Sequence, residues 1–165
     1  MSAARKGGIG TMKVQDIMTR DAEACSASGD LATAAMIMWR NDCGVVPVVE
    51  EPHRRVIGLL TDRDICMACA TQNRRASEIS VGEVITGQVY ACSPKDDVKI
   101  ALRTMAERKV RRLPVIGADG ALVGMLSLND VVLHTQRAGG RVAGAITPAD
   151  VLDAYQSICE HLQPA

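Results

Sequence analysis

Laid over itself at an offset of 67, the chain repeats. "VQDIMTRDAEACSASGDLATAAMIM", starting at Val14, falls on "VGEVITGQVYACSPKDDVKIALRTM", starting at Val81. Thr19 meets Thr86, Cys25 meets Cys92, Asp30 meets Asp97, Met38 meets Met105 and Pro47 meets Pro114. One extra residue in the Glu50–Arg55 loop drops the offset to 66. Beyond it, Gly58-Leu59-Leu60-Thr61-Asp62-Arg63-Asp64 falls on Gly124-Met125-Leu126-Ser127-Leu128-Asn129-Asp130. A self-similar period of this length means one supersecondary unit used twice, so whatever fold is proposed must contain two like parts.

Each copy carries the same order of patterns. A short extended segment (22–25; 89–92) leads to a helix start at 26–30 or 93–97. Leu31, Ala34, Ala35 and Met38 then recur at helical spacing, as do Val98, Ala101, Leu102 and Met105. A strand (45–49; 113–116), a charged or glycine-containing hairpin and a second strand (56–60; 122–126) follow. Thr61-x-x-Asp64 or Ser127-x-x-Asp130 opens the next helix. The expected fold class is therefore α+β, with two β-α-β-β-α repeats of about sixty residues packed as one pseudo-two-fold module, because neither half-core is large enough alone. The expected divisions are a flexible tail at 1–12, the repeats at 13–79 and 80–140, and an amphipathic helix at 141–165.

Composition narrows the class of function. A chain of 165 residues with 47% hydrophobic and 23% charged residues is globular and can bury roughly 70% of its unfolded surface. Nineteen basic residues balance nineteen acidic ones, so no global field advertises a nucleic-acid partner. With no Phe, one Trp and two Tyr, the core is aliphatic and base-stacking platforms are scarce. No apolar run approaches the ~20 residues of a membrane span. The six cysteines lack the density of a secreted disulfide scaffold, which points to a reducing cytoplasm. His53, His134 and His161 are scattered and form no nucleophile–base arrangement, so an enzyme is not expected.

The residues "IMT", "GVVPVV" and "GLLTDRDI" in the first copy, and "VIT", "VRRLPVI" and "GMLSLND" in the second, resemble the cystathionine-β-synthase (CBS) domain. The pair resembles the tandem of such domains called a Bateman module, over roughly residues 13–136. The resemblance implies a regulatory role. Such tandems bind AMP, ADP, ATP or S-adenosylmethionine in clefts between the copies and modulate an effector protein; no cofactor is expected, and with no second cysteine pair at zinc-ribbon spacing beside Cys66-x-x-Cys69 no metal is expected either.

Two readings of Thr/Ser-x-x-Asp then stand side by side. As a helix cap, the hydroxyl accepts from free backbone N–H groups and the carboxylate complements the helix dipole. The same pattern occurs at Ser93–Asp96 and Thr147–Asp150, away from any other functional signal. As a site, a carboxylate can accept hydrogen bonds from both ribose hydroxyls, while a helix N-terminus with a hydroxyl suits phosphate. The resemblance assigns ribose contact to Asp64 and Asp130 and phosphate-side contact to Thr61 and Ser127. Around Ser127/Asp130 it adds Thr19, Ala22, Ala24, Gly44 and Val45; around Thr61/Asp64 it adds Thr86, Val89, Ala91, Val110 and Arg111. For each small apolar residue among these, a plain core position is the competing reading. Arg111 and Arg112, facing Gly44 and Val45 in the repeat alignment, make the second pocket the expected phosphate reader.

The remaining features are read as structural. Cys66-x-x-Cys69 sits on a predicted helix among apolar residues and is expected to be buried core. Val151, Tyr155, Ile158 and Leu162 form one face of a terminal helix. The resemblance implies a homodimer, for which Met36, Met38, Trp39 and Met105 are candidate contacts. An interaction scaffold with empty pockets, controlled by its thiols, is the alternative function.

Overall fold

The structure is a computed structural model, described over residues 11–135 and 145–160. These residues gather into two compact units: residues 20–91 with 116–124, and residues 11–19, 92–115, 125–135 and 145–160. The fold is a mixed α+β one.

In the unit built on 20–91, strand β2 (Cys25–Ser26) feeds helix α2 (Leu31–Arg40), which returns to β3 (Val45–Glu50); β4 (Arg55–Thr61) and α3 (Asp62–Gln72) follow. The sheet order is β2-β3-β4. β2 runs parallel to β3, Cys25 opposite Val48, and α2 supplies the crossover that a parallel pair needs. β3 and β4 are antiparallel, from Val45 opposite Thr61 to Glu50 opposite Arg55, with a register shift at Val48/Val49. β3 is buried from Val45 through Val49 because α2 and β4 leave it no solvent face. The core joins Leu31, Ala34, Ile37 and Met38 of α2 to Val46, Val48 and Leu60 of the strands and Ile79 and Val81 beyond α3. Ile37 takes the place that the sequence pattern gave to Ala35, which is only half-buried, so the α2 core face is rotated slightly from expectation.

In the other unit, α1 (Val14–Ile17) lies against the start of the second repeat. Val14 donates its N–H to Asp96 O at 3.0 Å, Gln15 to Pro94 O at 2.9 Å, and Val98 to Met12 O at 3.0 Å. Helix α4 (Val98–Arg108), strands β5 (Arg112–Ile116) and β6 (Leu122–Ser127), and α5 (Leu128–Leu133) complete the repeat. With β1 (Thr19–Arg20) the sheet order is β1-β6-β5, and the hairpin tip belongs to the first unit. Val98, Ala101, Leu102 and Met105 of α4 are all buried, as their spacing predicts. Instead of a strand over 89–92, a single parallel bridge pairs Cys92 with Val115, Cys92 N–H reaching Pro114 O at 3.1 Å. Ser93–Asp96 is a turn, and the helix cap proper is Asp97.

Helix α6 (Pro148–Cys159) lies outside both repeats and packs on α4 and α5. It buries Val151, Ala154 and Ile158. Tyr155, expected on that face, is 42% exposed; at i+3 from Val151 and i+4 before Ile158, Ala154 centres the stripe better. Leu162 and residues 141–144 lie outside the described residues. Met38 and Met105 are buried in their own cores and cannot serve a dimer, whereas Met36 and Trp39 are exposed.

Candidate functional site

The two helix entries have the same construction. At α3, Thr61 N–H and Oγ1 both donate to Asp64 Oδ2, at 2.9 and 2.7 Å, and Asp64 N–H returns to Thr61 Oγ1 at 3.1 Å. At α5, Ser127 N–H and Oγ donate to Asp130 Oδ2 at 2.7 and 2.6 Å, and Asp130 N–H returns at 3.2 Å. All four residues are half-buried. The β strand before each box ends in extended backbone, which turns the hydroxyl back over the first free N–H groups. In each box both donors, the backbone N–H and the hydroxyl, fall on Oδ2 of the aspartate, so the box itself does not use Oδ1.

The same box closes α6. Thr147 N–H and Oγ1 reach Asp150 Oδ2 at 2.8 and 2.9 Å. Its carboxyl is held below the ordinary range, first by the Thr147 backbone N–H. Box geometry is therefore what a cap requires and does not by itself distinguish a ligand site.

What sets the two repeat boxes apart is the bond behind them. Asp62 donates its N–H to Gly44 O at 3.3 Å, and Leu128 donates its N–H to Arg111 O at 2.9 Å. Each bond ties the first helical residue to the turn before β3 or β5, so Gly44-Val45 and Arg111-Arg112 sit at the helix entries of their own units. Sequence reasoning did not find this bond, although Gly44 with Arg111 is visible in the repeat alignment. A β-carbon on Gly44 would come within 2.9 Å of Asp62 Oδ2, the end of an exposed side chain, whereas the counterpart of Asp62 beside Arg111 is Leu128. Arg111 is exposed and Arg112 half-buried; neither is in an ion pair among the described residues.

The other sequence candidates divide by unit. Ala22, Ala24, Gly44, Thr86, Val89 and Ala91 share the unit of Thr61 and Asp64; Thr86 is exposed and the rest are half-buried, and Val45, also in that unit, is core. Thr19 and Val110 share the unit of Ser127 and Asp130, Thr19 exposed and Val110 half-buried.

The six cysteines are free. Burial pushes the Cys25 thiol up to about 11 and the Cys92 thiol to about 12. Cys66, expected in the core, is instead exposed, because α3 buries only Ala68 fully and turns the i−2 position to solvent. Among the described residues no cluster of three or more His, Cys, Asp or Glu could hold a metal ion, and no helix is long and apolar enough to cross a membrane.

A family model, the CBS domain, matches residues 14–71 and again 81–137. CBS domain-containing protein YhcV of Bacillus subtilis is 31% identical over 134 residues, 81% of this chain and 92% of that protein. Hypoxic response protein 1 of Mycobacterium tuberculosis is 29% identical over 120 residues, 73% of this chain and 82% of that protein. Among solved structures, Hypoxic Response Protein I with two coordinated zinc ions superposes with a TM-score of 0.68 at 28% identity, covering 76% of this chain and all of that one. CBSX2 in complex with AMP superposes with a TM-score of 0.61 at 25% identity, covering 73% of this chain and 93% of that one.

Proposed function

The chain belongs to the CBS domain family, and from that premise we propose that it is a regulatory, non-catalytic module that binds an adenosine-containing ligand and passes the bound state to a partner protein. The ligand class is AMP, ADP, ATP or S-adenosylmethionine. The observation that carries this reading is the paired helix entry. Each repeat brings a half-buried Asp whose Oδ1 the cap box does not use, a hydroxyl and the turn before the core strand to one place. A ribose can give its hydroxyl hydrogens to Oδ1 of Asp64 or Asp130, and the helix N-terminus at that entry suits a phosphate, to which Thr61 or Ser127 can donate once its hydroxyl turns from the aspartate. The bound AMP of CBSX2 supports the ligand class.

In this reading Arg111 and Arg112 make the Ser127/Asp130 entry the phosphate reader. The Thr61/Asp64 entry, where Asp62 adds a negative charge beside Gly44, takes an uncharged adenosyl group or S-adenosylmethionine at least as well. Thr19, Ala22, Ala24, Val45, Thr86, Val89, Ala91 and Val110 are assigned to the surround of the base. A homodimer and a cytoplasmic setting belong to the same reading. With Met38 and Met105 buried, the dimer's apolar contacts fall to exposed residues such as Ile100 and Leu152, while the free thiols fit a reducing compartment.

A second reading is favoured by the Thr147/Asp150 box, which has the same geometry outside the repeats: the chain is an interaction scaffold whose boxes are caps alone, with the exposed Cys66 thiol as its point of control. A thermal-shift screen of adenine nucleotides, adenosine and S-adenosylmethionine separates the two. A true ligand at a hundredfold excess over its Kd stabilises by about 2.7 kcal/mol, and a scaffold shows no shift with any of them.

A further inference from the structure

The β3–β4 and β5–β6 hairpins meet one conformational demand with different residues. Arg54, just before β4, has φ 51°, and Gly120, its equivalent in the repeat alignment, has φ 84°. Left-handed backbone is costly for a residue with a β-carbon and free for glycine. The second repeat uses glycine, as this chemistry favours. The first repeat places a long arginine there instead, in a conformation that such residues rarely adopt. An outlier of this kind persists only where its surroundings hold it, and it calls for a reason.

The arginine side chain supplies one. Arg54 donates from Nη2 to the Ala22 carbonyl at 3.2 Å. Its own carbonyl accepts from Leu122 N–H at 3.0 Å, and Arg55 pairs with Ala121 in an antiparallel bridge, so the backbone that carries the guanidinium is anchored. The segment it reaches is sharply bent, with Asp21 at φ 50°. The next residue along is held as well. The two carboxylate oxygens of Glu23 accept from Arg40 Nη2 and Asn41 Nδ2, each at 2.8 Å, and Asn41 Nδ2 also reaches Ile37 O at 2.9 Å. Ala22 and Glu23 are thus pinned from two different elements before Cys25 enters the sheet opposite Val48. All of these residues lie in the unit built on 20–91. The second repeat has another set at these positions: Tyr90, Glu107 and Arg108 stand for Glu23, Arg40 and Asn41, and Gly120 has no side chain to offer.

We propose that Arg54 is a positioning residue for the ligand, holding loop 21–24 in the shape that receives the base. The inference rests on the proposed function, which assigns Ala22 and Ala24 to the surround of the base. The guanidinium is directed at the Ala22 carbonyl, so Arg54 acts through the loop. A loop fixed before the ligand arrives loses less freedom on binding, and the difference appears as affinity.

Arg54→Gly writes the Gly120 solution into the first hairpin, so it removes the tie without straining the fold. Calorimetry of AMP and of adenosine is run on the unaltered full chain, Arg54→Gly and Arg54→Lys, with a melt of each. Arg54 is exposed, so the tie is worth a modest factor. Arg54→Gly should weaken AMP and adenosine alike, roughly three- to tenfold, with a melting temperature no lower than that of the unaltered chain. Arg54→Lys should regain most of the loss, because its ammonium can donate to the same carbonyl and Lys109 already holds this conformation at φ 57°. A loss confined to AMP would make Arg54 a phosphate contact, and a loss matched by a lower melting temperature would make it a strut of the hairpin. Either result overturns the proposal. Heat that Arg54→Gly leaves unchanged sinks this inference alone, whereas no heat from either ligand with the unaltered chain sinks the proposed function and the inference together.

Discussion

Leu128 donates its backbone N–H to the carbonyl oxygen of Arg111 at 2.9 Å, which ties the arginine turn to the α5 entry. In the proposed reading a phosphate at that entry would meet helix N–H groups and the side chains of Arg111 and Arg112, neither in an ion pair among the described residues. Replacing Arg112 by Ala should weaken AMP or ATP binding roughly tenfold or more, and adenosine binding little. Calorimetry with the three ligands checks this. Equal losses for charged and uncharged ligands would show that the arginine is not reading phosphate.

Thiol chemistry should be strongly ordered. Cys66 is exposed, whereas Cys25 and Cys92 are buried, and burial pushes their thiols up to about 11 and about 12. Since the thiolate is the nucleophile, an aromatic disulfide reagent at pH 8 should modify Cys66 first and leave Cys25 and Cys92 untouched until the chain unfolds. Cys66→Ser should remove the fast phase. A fast phase that survives this substitution would place the reactive thiol elsewhere.

Acid should loosen the unit that holds Glu83. Its carboxyl is lowered to about 2, first by the Ser80 backbone N–H, then by the Arg74 side chain and the Ser80 hydroxyl. A carboxyl with a folded pKa below its ordinary value contributes stability that is present above that ordinary value and is lost as pH falls through the folded one. The melting temperature should therefore fall between about pH 4.5 and 2, and Glu83→Gln should flatten part of that fall. Parallel curves for the two proteins would remove Glu83 from the account.

Much of this architecture was legible because periodicity and repetition are strong physical signals. The α4 stripe Val98, Ala101, Leu102 and Met105 is buried as written, and Thr61, Ser127 and Thr147 each cap a helix with the Asp three residues on. The misses have local causes. Tyr155 and Ala154 both lie near the helical stripe, and only packing on α4 and α5 chooses between them. Cys66 has apolar neighbours in sequence but lies on the side of α3 that is open to solvent. The strand expected over 89–92 shrinks to one bridge at Cys92, because a parallel pairing this short is decided by its partner strand. The bonds from Asp62 and Leu128 back to Gly44 and Arg111 span seventeen or more residues, and no local pattern announces them.

The central claim is that Asp64 and Asp130 receive a ligand as well as capping a helix, and Asp150 supplies the control within the same chain. It holds the same box outside the repeats, with Thr147 N–H and Oγ1 on one carboxylate oxygen. Calorimetric titration of AMP into Asp64→Ala, Asp130→Ala and Asp150→Ala, with a melt of each, is the most direct measurement. All three should lose about 1 kcal/mol of stability as caps. Asp150→Ala should keep wild-type affinity, while Asp130→Ala, at the arginine-bearing entry, should lose about 1.5–3 kcal/mol of AMP binding, and Asp64→Ala should lose binding at its own entry. Wild-type AMP affinity in all three proteins, with only their melting temperatures lowered, would contradict the account and leave the boxes as caps.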